Sequence, residues 1–216
     1  MPRQDFLAGA KHRVEWNGST ICIFEGRPYH QTPTVNFHGV TIGADLFAVD
    51  DTKRQSFHAQ LDIGSTPALQ LVLPARKEFV ENEALIELRQ ACEKAIYTHI
   101  SSLDEHHLSF ERWSRARELG IDFPEAKAEL EAWEPDTADS DNGHFHGDTL
   151  AIDGEQLLCH SYEAHFDQSI ARALAAQPLR QKLVAAKPAY EGYLWYDALR
   201  VLDDARFTAT IGDALH

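Results

Sequence analysis

An α+β fold is what this sequence predicts: a mostly antiparallel N-terminal sheet covered by helices, then a later β-hairpin and C-terminal helices. Three observations carry that expectation. Two Asx-Gly pairs, Asn17-Gly18 and Asp153-Gly154, each separate short apolar runs, the chemistry of a two-residue hairpin turn. Phe57, Ala59, Leu61 and Ile63 alternate with His58, Gln60 and Asp62, which is the period of a strand. From Asn82 to Ile100 the period changes to that of a helix, with Leu85, Leu88, Cys92, Ile96 and His99 on one stripe and Ala84, Ala91 and Ala95 beside it. Strands placed early and helices placed late read as helices laid on one face of an antiparallel sheet.

Taken in order, the first ten residues fit a short helix or an arm. Around Asn17-Gly18 a tight hairpin sets Trp16 opposite Ser19 and Val14 opposite Ile21. Val35 to Ile42 supplies a third strand and Leu46 to Asp50 a fourth. Phe57 to Ile63 and Leu69 to Leu73 complete about six. The helix over 82–100 follows. A second helix is expected from Asp104, with Leu103 and Leu108 spaced as a hydrophobic staple. A third is expected from Asp122, whose spacing to Glu125 suits a capping box.

Residues 135–143, PDTADSDNG, form an acidic loop and the best candidate for a subdomain boundary within a single domain of 1–216. Beyond it the second hairpin pairs Leu150 with Leu157. Helices are then expected over SYEAHFDQSIARALAAQ, from Pro178 through Leu183 and Val184, and over AYEGYLWYDALRVLDDA.

Composition narrows the function classes. Thirty-four acidic residues against 20 basic give a formal charge of −14 over 216 residues. That field repels phosphate, so nucleic acid and anionic membrane surfaces are not expected partners. The sequence holds no run of eighteen apolar residues and no apolar leader at the start, which predicts neither a membrane span nor export. Cys22, Cys92 and Cys159 are odd in number and flanked by apolar residues, as buried thiols in a reducing compartment would be. A cytoplasmic location is therefore expected. There is no phosphate-binding glycine loop, HExxH, GxSxG or CxxC.

Two groups of residues could still carry function. Twelve histidines is a high count, and His144, His146 and Asp148 alternate so that one strand face could offer two imidazoles and a carboxylate to a divalent metal such as zinc. His160 and His165 follow closely enough in sequence to join them. The other group is recognition-like. His58, Gln60 and Asp62 form a polar row expected to face water, a groove or a partner. Tyr193, Trp195 and Tyr196 put aromatic rings on more than one side of a helical pattern, which asks for a second contact surface. The reading that follows is a non-enzymatic acidic interaction module of immunity, inhibitor or adaptor type, binding another protein, a basic one by charge, or a second copy of itself. The alternative is a metal-dependent hydrolase or related enzyme with its site over 144–165.

Overall fold

A computed structural model of the chain describes residues 7–26, 34–37, 39–44, 46–64, 68–72, 79–134, 148–160, 164–202, 210–211 and 214–215, with backbone alone at 164–167, 210–211 and 214–215. The architecture is α+β, and the chain divides into two compact units, Met1–Ala126 and Lys127–His216. The acidic loop 135–143 lies outside the described residues.

The first unit is built on a six-stranded sheet of β1 (His12–Trp16), β2 (Ser19–Glu25), β3 (Val35–Phe37), β4 (Val40–Ile42), β5 (Ala48–Asp50) and β6 (Ser56–Ile63). The order is β1-β2-β6-β3-β4, and β5 also pairs with β6. All pairings are antiparallel except β3 with β6. The first hairpin takes the expected register, Trp16 opposite Ser19 and Val14 opposite Ile21. Asn17 and Gly18 both adopt positive φ, at 43° and 76°, which the type I′ turn requires. The segment 35–42 is two strands of a hairpin and not one, turned at Gly39 with φ 88°. Of the strand expected over Leu69 to Leu73, the described residues 69–72 contribute one isolated bridge, Leu71 to Phe79.

Helix α1 (Glu83–Ser101) begins where the Asn82 side chain accepts the Leu85 N–H at 3.0 Å, a cap that satisfies one of the helix's orphan donors. The predicted stripe of Leu85, Leu88, Cys92, Ile96 and His99 is buried. It covers the sheet face formed by Phe57, Ala59, Leu61 and Ile63, as the contact of His99 with Phe57 shows (ring centroids 6.1 Å apart). Paired strand residues share a face, so Ile21, Ile23, Val35 and Val49 join this core through their β6 partners.

Helix α2 (Phe110–Glu118) starts five residues later than the sequence suggested and is capped by Ser109, not Asp104. His106 explains the delay. Its buried ring donates from Nε2 to the Pro124 carbonyl (2.9 Å) and accepts the Leu108 N–H at Nδ1 (3.3 Å). That turn consumes backbone groups a helix from 104 would need. The helix expected from Asp122 does not form for a related reason. The carbonyls of Phe123 and Pro124 accept from the Trp113 indole at 3.1 Å each, and the chain runs extended into β7 (Glu129–Glu131).

In the second unit β7 pairs antiparallel with β8 (Thr149–Ala151). A parallel sheet follows: β9 (Leu157–Cys159) lies between β10 (Leu183–Ala185) and β11 (Arg200–Val201). Helix α3 (Ala164–Ala176) is the β9–β10 crossover, with Ile170 packed against Cys159 and Trp133. Three expectations fail here. Leu150 faces Leu130, and Leu157 faces Leu183 and Arg200, so 148–160 is not a hairpin. The Asp153-Gly154 turn is closed by side chains: Gln156 accepts from Asp153 N–H and donates to the Ala151 carbonyl, while Asp153 accepts from Glu155 N–H. The backbone of 157–159 is thereby free for parallel partners. Leu183 and Val184 form a strand and not a helix. The long C-terminal helix is replaced by a 3₁₀ turn (Pro188–Tyr190), the four-residue α4 (Leu194–Asp197) and β11, broken at Gly192 with φ 110°. Antiparallel β12 (Thr210–Ile211) and β13 (Ala214–Leu215) complete the described strands.

Candidate functional site

The connection between β10 and β11 is the most distinctive local structure of the second unit. Its backbone is folded back on itself by Tyr193 N–H to Tyr190 C=O (3.1 Å) and Tyr196 N–H to Tyr193 C=O (3.0 Å). Side chains lock the ends. The Tyr196 hydroxyl accepts from Lys187 N–H at 2.9 Å, and Asp197 accepts from Gly192 N–H at 3.0 Å. Burial pushes the Tyr196 phenol upward in pKa, so it stays neutral and keeps this acceptor role at ordinary pH.

Four aromatic rings meet within that frame. Trp195 meets Tyr190 edge-on at 5.3 Å and Tyr196 edge-on at 5.8 Å, and it stacks on Tyr193 at 6.1 Å. Lys187 stands over the Tyr190 ring at 5.5 Å. Contacts of these geometries each add to plain area burial. Tyr190, Tyr193 and Tyr196 are buried, whereas Trp195 is only half-buried and Leu194 beside it is 79% exposed. Val201 on β11 is 48% exposed. The result is an exposed aliphatic side chain set beside a tryptophan whose orientation is fixed by its neighbours. Rigid aromatic anchors next to uncovered apolar groups are what interface hot spots are made of.

The second unit is also the more acidic of the two by composition. Sixteen acidic and seven basic residues fall within 127–216, against eighteen and thirteen within 1–126. The second unit carries the larger share of the net negative charge on the shorter length of chain.

The polar row on β6 does not face water. His58, Gln60 and Asp62 are all buried. Asp62 accepts from the Asn36 amide at 2.8 Å, and His58 stacks on Phe24 at 5.6 Å. Alternation correctly assigned the two faces of the strand, but every residue of β6 is buried, so neither face is left open. Burial holds the His58 imidazole below its ordinary pKa.

Of the proposed metal ligands, His144 and His146 lie outside the described residues, as does the side chain of His165, which sits in the first turn of α3. Asp148 is exposed just before β8, and His160 is half-buried just after β9. Among the described residues no group of three or more His, Cys, Asp or Glu side chains is placed to hold a metal ion, and no helix is long and apolar enough to cross a membrane. The three cysteines are free and buried. Desolvation raises Cys22 to about 11 and Cys92 to about 12, well away from nucleophile chemistry.

Sequence reasoning missed two polar clusters. His99 pairs with Glu25 at 3.0 Å and stacks on His12 at 6.0 Å. Arg115 joins Glu93 of α1 to Glu118 of its own helix. Neither had a sequence signal, since 74 residues separate His99 from Glu25 and 22 separate Arg115 from Glu93. Comparison with protein-family models, with curated proteins and with solved structures returned no match.

Proposed function

We propose that this protein is a non-enzymatic interaction module, of immunity, inhibitor or adaptor type, that docks a basic protein through Leu194 and Trp195. The observation that carries the reading is the exposure of Leu194 beside a tryptophan held by three buried tyrosines. Covering a fully exposed leucine is worth roughly 1.5–3 kcal/mol, and little entropy is lost when the neighbouring ring is already fixed. The acidic balance adds steering toward a positively charged surface. The test is affinity capture from an extract of the protein's own cells, followed by titration of the purified partner against wild type and Leu194→Asp. The expected partner is basic, binds more weakly as salt rises, and loses about tenfold or more in affinity to the variant. A partner whose affinity ignores both salt and Leu194→Asp overturns the reading.

One observation favours a second reading, a metal-dependent hydrolase or related enzyme centred on 144–165. His160 lies at the carboxyl end of β9, whose parallel neighbours β10 and β11 flank it on either side. Ligands of open parallel sheets bind at such switch points. Zinc titration of wild type and a His144→Ala, His146→Ala, His160→Ala variant separates the readings. Stoichiometric binding lost in the variant supports the enzyme, and weak binding equal in both removes it.

A further inference from the structure

The strands β7 to β11 join into one sheet whose two edges differ. An isolated bridge from Ala132 to Val184 ties β7 to β10, and Trp133 N–H donates to the Leu183 carbonyl at 3.1 Å. The order is therefore β8-β7-β10-β9-β11, with β8 and β11 outermost. At β8, Ile152 N–H donates to the Ala128 carbonyl (2.9 Å) and the Asp148 carbonyl accepts from Ala132 N–H (2.8 Å). Neighbouring residues of a strand turn their backbone groups to opposite sides, so Ala151 faces outward there. Its carbonyl is taken by the Gln156 amide at 3.3 Å. A side chain thus closes that edge.

The β11 edge has no such cover. Leu202 N–H donates to the Leu158 carbonyl at 2.7 Å, and Val201 is the residue in register with Leu158. In a parallel pair this arrangement turns Arg200 and Leu202 toward β9 and leaves Val201 turned away. The N–H and the C=O of Val201 both point to the open side. Both residues of β11 are exposed, Val201 at 48%. Among the described residues no strand pairs with that side, because β12 and β13 pair with each other.

We propose that two copies of this chain pair antiparallel along β11, across a twofold axis at Val201. Antiparallel strands bond through opposed residues that exchange both N–H and C=O, which requires donor and acceptor of one residue on the same side. A twofold axis sets a residue opposite itself, so one such residue is enough for a second copy to match. Val201 meets that requirement without any rearrangement of the backbone. The same axis brings the two exposed valine side chains together, a β-branched pair that suits facing strands. Arg200 then lies opposite Leu202 of the second copy, so the two guanidiniums are not directly opposed. One exchanged pair on a two-residue strand makes a small contact, of the weak and reversible class.

The test is sedimentation velocity of the full chain between about 10 μM and about 1 mM, where a contact of this class should show reversible dimerisation. The dimer should tighten as salt rises, because each copy carries a formal charge of −14 and salt screens their repulsion. A basic partner docked at Leu194 has the opposite salt dependence, so that reading and this one fail separately. Val201→Lys changes an exposed side chain and opposes two like charges, which should weaken the dimer about tenfold or more. Val201→Pro removes a donor that bonds nothing within its own sheet and should abolish the dimer, with circular dichroism reporting that the fold is kept. A short bismaleimide should join Val201→Cys across two copies and leave Thr149→Cys, on the β8 edge, unjoined. A chain that stays monomeric up to about 1 mM overturns the proposal. So does a dimer that Val201→Lys leaves unchanged, or cross-linking as efficient at 149 as at 201.

Discussion

Replacing Leu88 by Ala, with Ile86→Ala as its control, tests which side of α1 meets the sheet. Leu88 is 0% exposed and Ile86, two residues away on the same helix, is 53% exposed. Both changes shorten an aliphatic chain within one helix, so backbone propensity shifts only slightly and in favour of Ala. They differ in what the missing carbons leave behind. At 88 the lost methyl groups leave a cavity against the β2–β6 core, at a cost of about 3–4 kcal/mol within the usual range for leucine truncation. At 86 they leave water, and the change should stay within about 0.5 kcal/mol of wild type. Urea unfolding followed by far-UV circular dichroism reads both. Leu88→Ala should lower the midpoint by roughly 1–3 M, and Ile86→Ala should leave it in place. Equal losses at the two positions would refute the packing of α1, because only a rotated helix or one buried all round could produce them.

Gly64 has ordinary backbone angles, yet a Cβ there would collide with the Gly18 carbonyl; Gly64→Ala should cost about 1–3 kcal/mol in the same urea assay by forcing the first hairpin turn to shift. With thiols at about 11 and about 12, Cys22 and Cys92 should resist a chromogenic disulfide reagent at about pH 8 until denaturant opens the chain, and rapid native-state labelling would contradict their burial. His106 is held neutral by burial, which lowers its pKa in the folded chain. The unfolded chain therefore takes up the proton first, near the ordinary value of 6.5. The stability associated with the neutral ring is complete above that pH and is lost as pH falls through the depressed folded value. Urea midpoints should drop between about pH 7.5 and about pH 5.5, and the drop should shrink in His106→Gln.

Local chemistry was legible in this sequence where one residue type decides the backbone. Asn17-Gly18 fixed a turn and, through it, the pairing of five residues on each side. The stripe on 82–100 predicted the buried face of α1 because apolar spacing alone decides which side of a helix meets a sheet. Asp153-Gly154 carried the same signal and misled, since Gln156 closes that turn with its amide and the flanking strands pair elsewhere. Leu183-Val184 and Arg200-Val201 are too short for periodicity to separate strand from helix. Only their pairing with β9, formed across more than twenty residues of chain, makes them strands. The site followed the same rule. Tyr193, Trp195 and Tyr196 could be picked out as an aromatic excess, but the exposure of Leu194 depends on Gly192 ending the helical pattern.

Burial also separates the two groups of residues that the sequence offered for recognition. On β6, Asp62 already has the Asn36 amide, and His58 and Gln60 are covered within the chain. A partner reaching them would first have to uncover polar groups and break that hydrogen bond, losing as much as it gains. At the β10–β11 connection the order is reversed. Tyr190, Tyr193 and Tyr196 are spent on holding Trp195 in place, and Leu194 still meets water. Free energy for association is available only where apolar surface remains uncovered, and a rigid support lets most of it appear as affinity. Leu194 and Trp195 meet both conditions, whereas His58, Gln60 and Asp62 meet neither. The buried central strand therefore suits a scaffold, and the proposed recognition rests on the short helix that follows Gly192.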